Sequence, residues 1–226
     1  DQFLDDALAT AVAEDRIGPS FAILWVEKEV QKSHWQCWQQ LAKWMPRLGE
    51  RLDPAIAHYL NSIGAAGAAV PHVEQFIQRA GPDLRERGEI WGKVGYALAS
   101  AAAWRSCVNW LMPDYQRDDA EAWALWNLTY SQRMLYNNDL AIKVSLHVVQ
   151  KGVRDDTWPK HTSLAAFGLA SVHHDYAAAE ALLEREPAPP ETDIEGRLHY
   201  ILARALVRVG TLPAAEGKSF FKHFLT

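Results

Sequence analysis

The sequence predicts an all-α fold built from repeated helical hairpins, and three observations carry that prediction. Val70, Trp104, Leu140, Tyr176 and Leu212 stand 34, 36, 36 and 36 residues apart, a period that marks a repeat architecture. Each follows or closes a turn-like or small-residue stretch: Gly67-Ala68-Ala69, Ala101-Ala102-Ala103, Asn137-Asn138-Asp139, His173-His174-Asp175 and Gly210-Thr211. Apolar residues recur with the helical period nearly everywhere, and one short run, Phe21–Val26, is ambiguous between helix and strand.

The elements follow in order. Residues 2–14 read as a lone helix closed by Gly18 and Pro19. Ser20 is the expected cap of a helix over 20–31. Ser33 and Gln36 form a capping-box pair for a helix over 34–45, which Pro46 and Gly49 stop. Hairpins then recur: 54–65 with 71–79, 88–101 with 103–112, 121–136 with 139–151, 159–172 with 176–185, and 194–209 with 212–224. Asp119 and Thr192 are the expected N-caps, Thr192 with Glu195 three residues on. Gly81, Pro113, Gly152 and Pro187-Ala188-Pro189-Pro190 mark the joints. Trp91, Val94, Gly95 and Leu98 form one apolar stripe, and Leu198, Ile201, Leu202, Ala205 and Val209 another. Gly95, Ser131 and Ala203 each lie nine residues before a turn hydrophobe, and Cys107, Ala179 and Ala215 three after one. Small residues at fixed offsets call for close helix contact. The helix at 2–14 has no partner in this frame. It is either a cap or the second half of an earlier hairpin, in which case Leu4, Leu8 and Val12 offer a stripe for self-association.

Composition narrows the function. Of 226 residues 49% are hydrophobic, enough for a real core. A net charge of −5 argues against nucleic acid, whose phosphates require a basic field. No apolar run reaches the length of a membrane span. The chain begins at Asp1 with no visible signal peptide, so it is either processed or, more simply, a fragment of a longer, bacterial-looking protein, and a cytoplasmic location is expected. Cys37 and Cys107 lie in apolar helical patterns and read as buried thiols of a reducing compartment, a disulfide or a reactive thiol being the alternative. The ten tryptophans all precede residue 159 and either fill the core or line an aromatic groove. Trp38, Leu41, Trp44 and Met45, at helical intervals, favour core.

Catalytic signatures are missing. None of the nine histidines stands four residues from another, and HExxH, GxSxG, a Walker loop and GxGxxG do not occur. His173-His174-Asp175 reads as a turn. Asp5-Asp6, Asp118-Asp119 and Asp155-Asp156 fall at helix starts, where negative charge complements the helix dipole. No catalytic residue, metal or cofactor is expected.

Trp91-Gly92-Lys93-Val94-Gly95-Tyr96-Ala97-Leu98, Asp175-Tyr176 with Ala179, and Gly210-Thr211-Leu212 with Ala215 resemble the tetratricopeptide repeat family and its W-x2-L-G-x2-Y helix. The match is divergent: Asn127, Ser163 and His199 replace the Trp, Phe167 fills a small position, and Lys143 replaces the second-helix Ala. The resemblance covers 54–226 well and 19–50 loosely. It implies a right-handed superhelical array of about five to six hairpins, an open solenoid forming one domain over 1–226. Within it, 1–18 is a capping or orphan helix, 19–50 a degenerate hairpin, and 54–226 four to five hairpins. The implied concave groove is lined by first helices at 15, 12, 8, 5 and 4 residues before each turn hydrophobe. Counting back places Tyr96, Gln132, Tyr136, His161, Arg197, Tyr200, Arg204 and Arg208 there as ligand- or peptide-binding residues. The Lys/Asn carboxylate clamp of chaperone-binding members is missing, with Gly92, Leu128, Leu164 and Tyr200 at one clamp position. Arg197, Arg204 and Arg208 around Tyr200 suit an acidic ligand, and a solvated charged face accounts for the same residues. The implied function is a non-catalytic scaffold for a protein or peptide segment. The alternatives are a ligand-sensing arm of a multidomain protein and a fragment of an all-helical carbohydrate-active enzyme working through paired carboxylates.

Overall fold

In the computed structural model, which describes residues 2–14, 17–152, 154–186 and 188–212, the hairpin turns repeat more strictly than the side chains that mark them. Ser33, Gly67, Ala102, Tyr136 and His174 all take left-handed backbone, with φ of 58, 67, 58, 60 and 54°. Each immediately precedes the N-cap of a following helix. The N–H groups of Ser33, Gly67, Ala102 and Tyr136 donate to the carbonyls of Val30, Gly64, Ala99 and Arg133, three residues back in every case. Those of His34, Ala103 and Asn137 reach back five, to Glu29, Leu98 and Gln132. Only glycine adopts this conformation without steric cost. The packing of the two helices therefore holds the other four residues there, more than local preference does.

The described elements are helical throughout, and no strand occurs among the described residues, so Phe21–Val26 is helix. Packing divides the chain into two compact units, Asp1–Pro113 and Asp114–Thr226, where the sequence reading draws one domain.

The first unit holds α1 (Gln2–Ala13), α2 (Pro19–Gln31), α3 (Trp38–Leu48), α4 (Asp53–Ala65), α5 (Ala69–Glu86), α6 (Gly88–Ser100) and α7 (Trp104–Leu111). α2 packs on α4 and α4 on α6, with α5 and α7 laid against α6. Gly64 permits the α4–α6 contact, because a Cβ there would stand 3.1 Å from the Ala97 backbone. Aromatic side chains fill the core. Trp44 packs edge-on to Trp25 at 5.1 Å, and Phe76 lies between Trp38 and Tyr59. Trp110 Nε1 donates to the Trp91 carbonyl at 2.9 Å. Cys37 and Cys107 are buried and free. Burial pushes the Cys37 thiol up to about 12, far from thiolate character. Leu8 is buried, which closes the centre of the stripe read as a self-association surface.

The second unit holds α8 (Ala122–Met134), α9 (Asn138–Lys151), α10 (Trp158–Ser171), α11 (Tyr176–Arg185) and α12 (Ile194–Thr211). α10 lies at its centre, packed on α9, α11 and, most extensively, α12. Here alanine does the packing: Ala165, Ala166, Ala170, Ala179 and Ala203 meet Leu182, Leu183 and Val207. Small side chains shorten the distance between helix axes. Gly168 gives the same closeness to α9, since a Cβ would collide with Ile142.

Several local expectations are corrected. α2 starts at Pro19 after Gly18, and Ser20 does not cap it. Ser33 and Gln36 form no capping box, because Ser33 occupies the left-handed turn and a short 3-10 turn, Trp35–Cys37, leads into α3. Pro46 lies inside α3, which Gly49 ends at φ 56°. The joint expected at Gly81 is present as a sharp kink one residue earlier, where Ala80 leaves helical backbone at φ −132°. α5 bends at Ala80 and continues, since Pro82 has no N–H for the Gln78 carbonyl. Glu121 is the N-cap residue of α8, while Asp119 pairs with Arg117. Asp193, not Thr192, caps α12 by accepting the Gly196 N–H at 3.1 Å. α12 runs through Gly210, where the sequence reads a turn. The helix expected over 212–224 and its Ala215 lie outside the described residues except for Leu212.

Candidate functional site

A groove of about 420 Å³ lies between α11 and α12 of the second unit. Glu180, Leu183 and Glu184 share one face of α11 by their helical spacing and form one wall. Ile201, Arg204, Arg208 and Thr211 recur every three or four residues on α12 and form the other. Leu183, Ala205 and Val207 are buried and make an apolar floor. The apolar stripe continues along α12 toward its start through Leu198 and Ile194, which are 54% and 81% exposed. The Arg204 guanidinium donates to the Tyr200 hydroxyl at 3.0 Å and lies 5.8 Å from the ring centre, so Tyr200 steadies it. The groove thus carries an acidic wall, a basic wall and a dry floor.

Of the eight residues expected to bind ligand, Arg204 and Arg208 line this groove and Tyr200 supports it. Arg197 stands apart, reaching the Pro189 carbonyl and Glu191. Gln132 and His161 are buried, at 1% and 0% exposure, and face no open surface. The His161 ring accounts for itself: Nε2 donates to the Ala122 carbonyl at 3.1 Å, which leaves Nδ1 to accept from Ser145 Oγ at 3.0 Å. Tyr136 is 90% exposed but occupies the turn, not a helix face. Tyr96 is half-buried on α6, in the first unit.

The reason is register. Trp104 and Tyr176 are the first residues of α7 and α11, whereas Leu140 is the third of α9, so counting back from it lands two residues late. The left-handed turn residue gives the true frame, in which Tyr130, six before Tyr136, matches Tyr96, six before Ala102. Tyr130 is half-buried where Gln132 is not. Between α10 and α11 the turn carries one more residue, which shifts His161 into the core. The acidic wall is not among the expected site residues, although Glu180, Leu183 and Glu184 show a one-faced helical pattern in the sequence.

Among the described residues, no group of three or more His, Cys, Asp or Glu side chains is placed to hold a metal ion. No described helix is long and apolar enough to cross a membrane. Fold and groove together define an all-α protein of helical hairpins with an amphipathic interhelical groove. Comparison with family models, curated proteins and solved structures finds no match.

Proposed function

We propose that the chain is a non-catalytic interaction module, a divergent right-handed TPR-like array, that binds an amphipathic peptide segment in the α11–α12 groove. The observation that carries this reading is the groove's construction: an apolar floor between Glu180 and Glu184 on one side and Arg204 and Arg208 on the other. The repeating left-handed turn supports the array. Opposed charge rims fix the orientation and edge chemistry of an occupant more than its affinity. The fitting segment lays apolar residues on Leu183, Ala205 and Val207 and turns an acidic edge to α12. Two synthetic amphipathic peptides with the same apolar face, one acidic and one basic along the edge, test this by titration calorimetry. The acidic peptide is expected to bind at least about tenfold more tightly. Arg204→Glu reverses the order with helicity unchanged. Equal affinity for both peptides, or indifference to Arg204→Glu, removes the groove as the binding site.

A further inference from the structure

α10 and α12 begin 36 residues apart, at Trp158 and Ile194, the same distance that separates Tyr176, the first residue of α11, from Leu212. The face of α10 that α11 covers can be followed along the helix. Trp158 Nε1 donates to Glu186 at the end of α11 at 2.9 Å, Thr162 shares a small cleft with Leu182 and Leu183, and Ala165 packs with Ala179, Leu182 and Leu183. These three α10 residues are 5, 3 and 0% exposed. Moved on by 36 positions they become Ile194, Leu198 and Ile201, which are 81, 54 and 44% exposed. Spacings of four and three place those three on one side of α12. Single exposed hydrophobes are ordinary on a protein surface, but a continuous apolar stripe marks a face that something covers.

What α11 does for α10 falls, one period later, to the residues after Leu212. Residues 213–226 lie outside the described residues, and their sequence suits the task. The apolar pair Leu182-Leu183 recurs as Phe220-Phe221, and a helical period would set Phe224 and Leu225 on the same side, with Lys218 and Lys222 along the edge. We propose that the segment 213–226 docks in cis on the Ile194, Leu198 and Ile201 face of α12 and competes with the peptide of the α11–α12 groove, because Ile201 lines both. The competition rests on the reading of the groove as a peptide site; the docking does not. A tethered segment acts at an effective concentration of about millimolar, so a modest intrinsic affinity is enough to guard the groove.

A nitroxide attached at Lys222→Cys in the full chain, read on the methyl NMR signals of Leu198 and Ile201, tests the docking. Cys37 and Cys107 are buried, so the label goes to the introduced thiol. Both methyl signals should broaden, and both should recover when Phe221→Asp and Phe224→Asp are added. In the double variant Phe221→Asp, Phe224→Asp without the label, the acidic amphipathic peptide should bind at least about tenfold more tightly than in the unaltered chain. Unbroadened Leu198 and Ile201 signals overturn the proposal. Equal broadening from a nitroxide carried on a separate copy of the chain also overturns it, by assigning the face to a second copy. Broadened signals with unchanged peptide affinity overturn the competition. A peptide that binds neither the unaltered chain nor the double variant refutes the groove reading instead, and the NMR signals then decide the docking alone.

Discussion

His161 shows what a single side chain carries in this molecule. It is wholly buried, spans Ala122 and Ser145 with its two ring nitrogens, and meets Trp126 edge-on at 5.1 Å. Burial pushes its pKa down from 6.5 to about 4, against the opposing pull of the Ala122 hydrogen bond. The unfolded chain takes up a proton near pH 6.5, and the folded one only near pH 4. The stability this group confers is therefore whole above 6.5 and is lost as pH falls from 6.5 through 4. His199 adds to the same window, since its pKa is also lowered to about 4. Urea denaturation should show a midpoint that drops between pH 7 and 5. His161→Phe should flatten that slope while lowering stability at pH 7 by about 2–4 kcal/mol, because it leaves the Ala122 carbonyl and Ser145 hydroxyl unpaired. A slope unchanged in the variant would assign the acid sensitivity to other groups. Tyr136 makes the opposite case. Its side chain is 90% exposed while its φ is 60°. Tyr136→Gly should raise stability by about 0.5–1 kcal/mol, and Tyr136→Ala should not, a comparison that thermal melts resolve.

At the scale of elements, residues outside the helices tie one hairpin to the next. Asp155 stands in the loop before α10. Its Oδ2 accepts the Trp123 N–H in the first turn of α8 at 2.7 Å, and its Oδ1 accepts the N–H and hydroxyl of Thr157 at 2.7 and 2.6 Å. One carboxylate thus caps α8 and shapes the entry to α10. Glu186, at the end of α11, is 5% exposed and accepts from Arg154, Arg185 and Trp158 Nε1. Asp155→Ala should cost about 1–3 kcal/mol by losing a helix cap together with local turn bonds. Asp155→Asn should recover part of this in denaturant titrations, since its amide oxygen still accepts. No change in Asp155→Ala would mean that water caps α8 equally well. The sequence shows Asp155-Asp156 as a helix-start pair but cannot show that Asp155 serves the helix 32 residues earlier.

For the whole molecule, the division into Asp1–Pro113 and Asp114–Thr226 makes a direct forecast. Each piece, expressed alone, should keep its helical circular dichroism and melt cooperatively, as units with their own cores do. Two disordered pieces would show that folding needs the intact chain. The contents of the units differ: tryptophan-rich packing in the first, and alanine-rich packing around α10 in the second. Much of this is legible in the sequence. The helical period, the turn stretches and the all-helical class are legible there, because local spacing decides which residues share a helix face. Helix ends were readable only roughly, as at Ser33, Pro46 and Gly210, where packing overrides capping and breaking signals. The candidate site was half readable. Arg204 and Arg208 lie in a groove, while Gln132 and His161 turned inward. A hydrophobe two places past the turn is indistinguishable by pattern from one at it, and each residue of error turns a helix face by about 100°. The sequence by itself determined the helices, their order and their period, since these follow from neighbours within one turn. Only the tertiary structure decided which faces are open, because the backbone turn sets the register and contacts such as Trp123 with Asp155 or Ala122 with His161 join residues far apart along the chain.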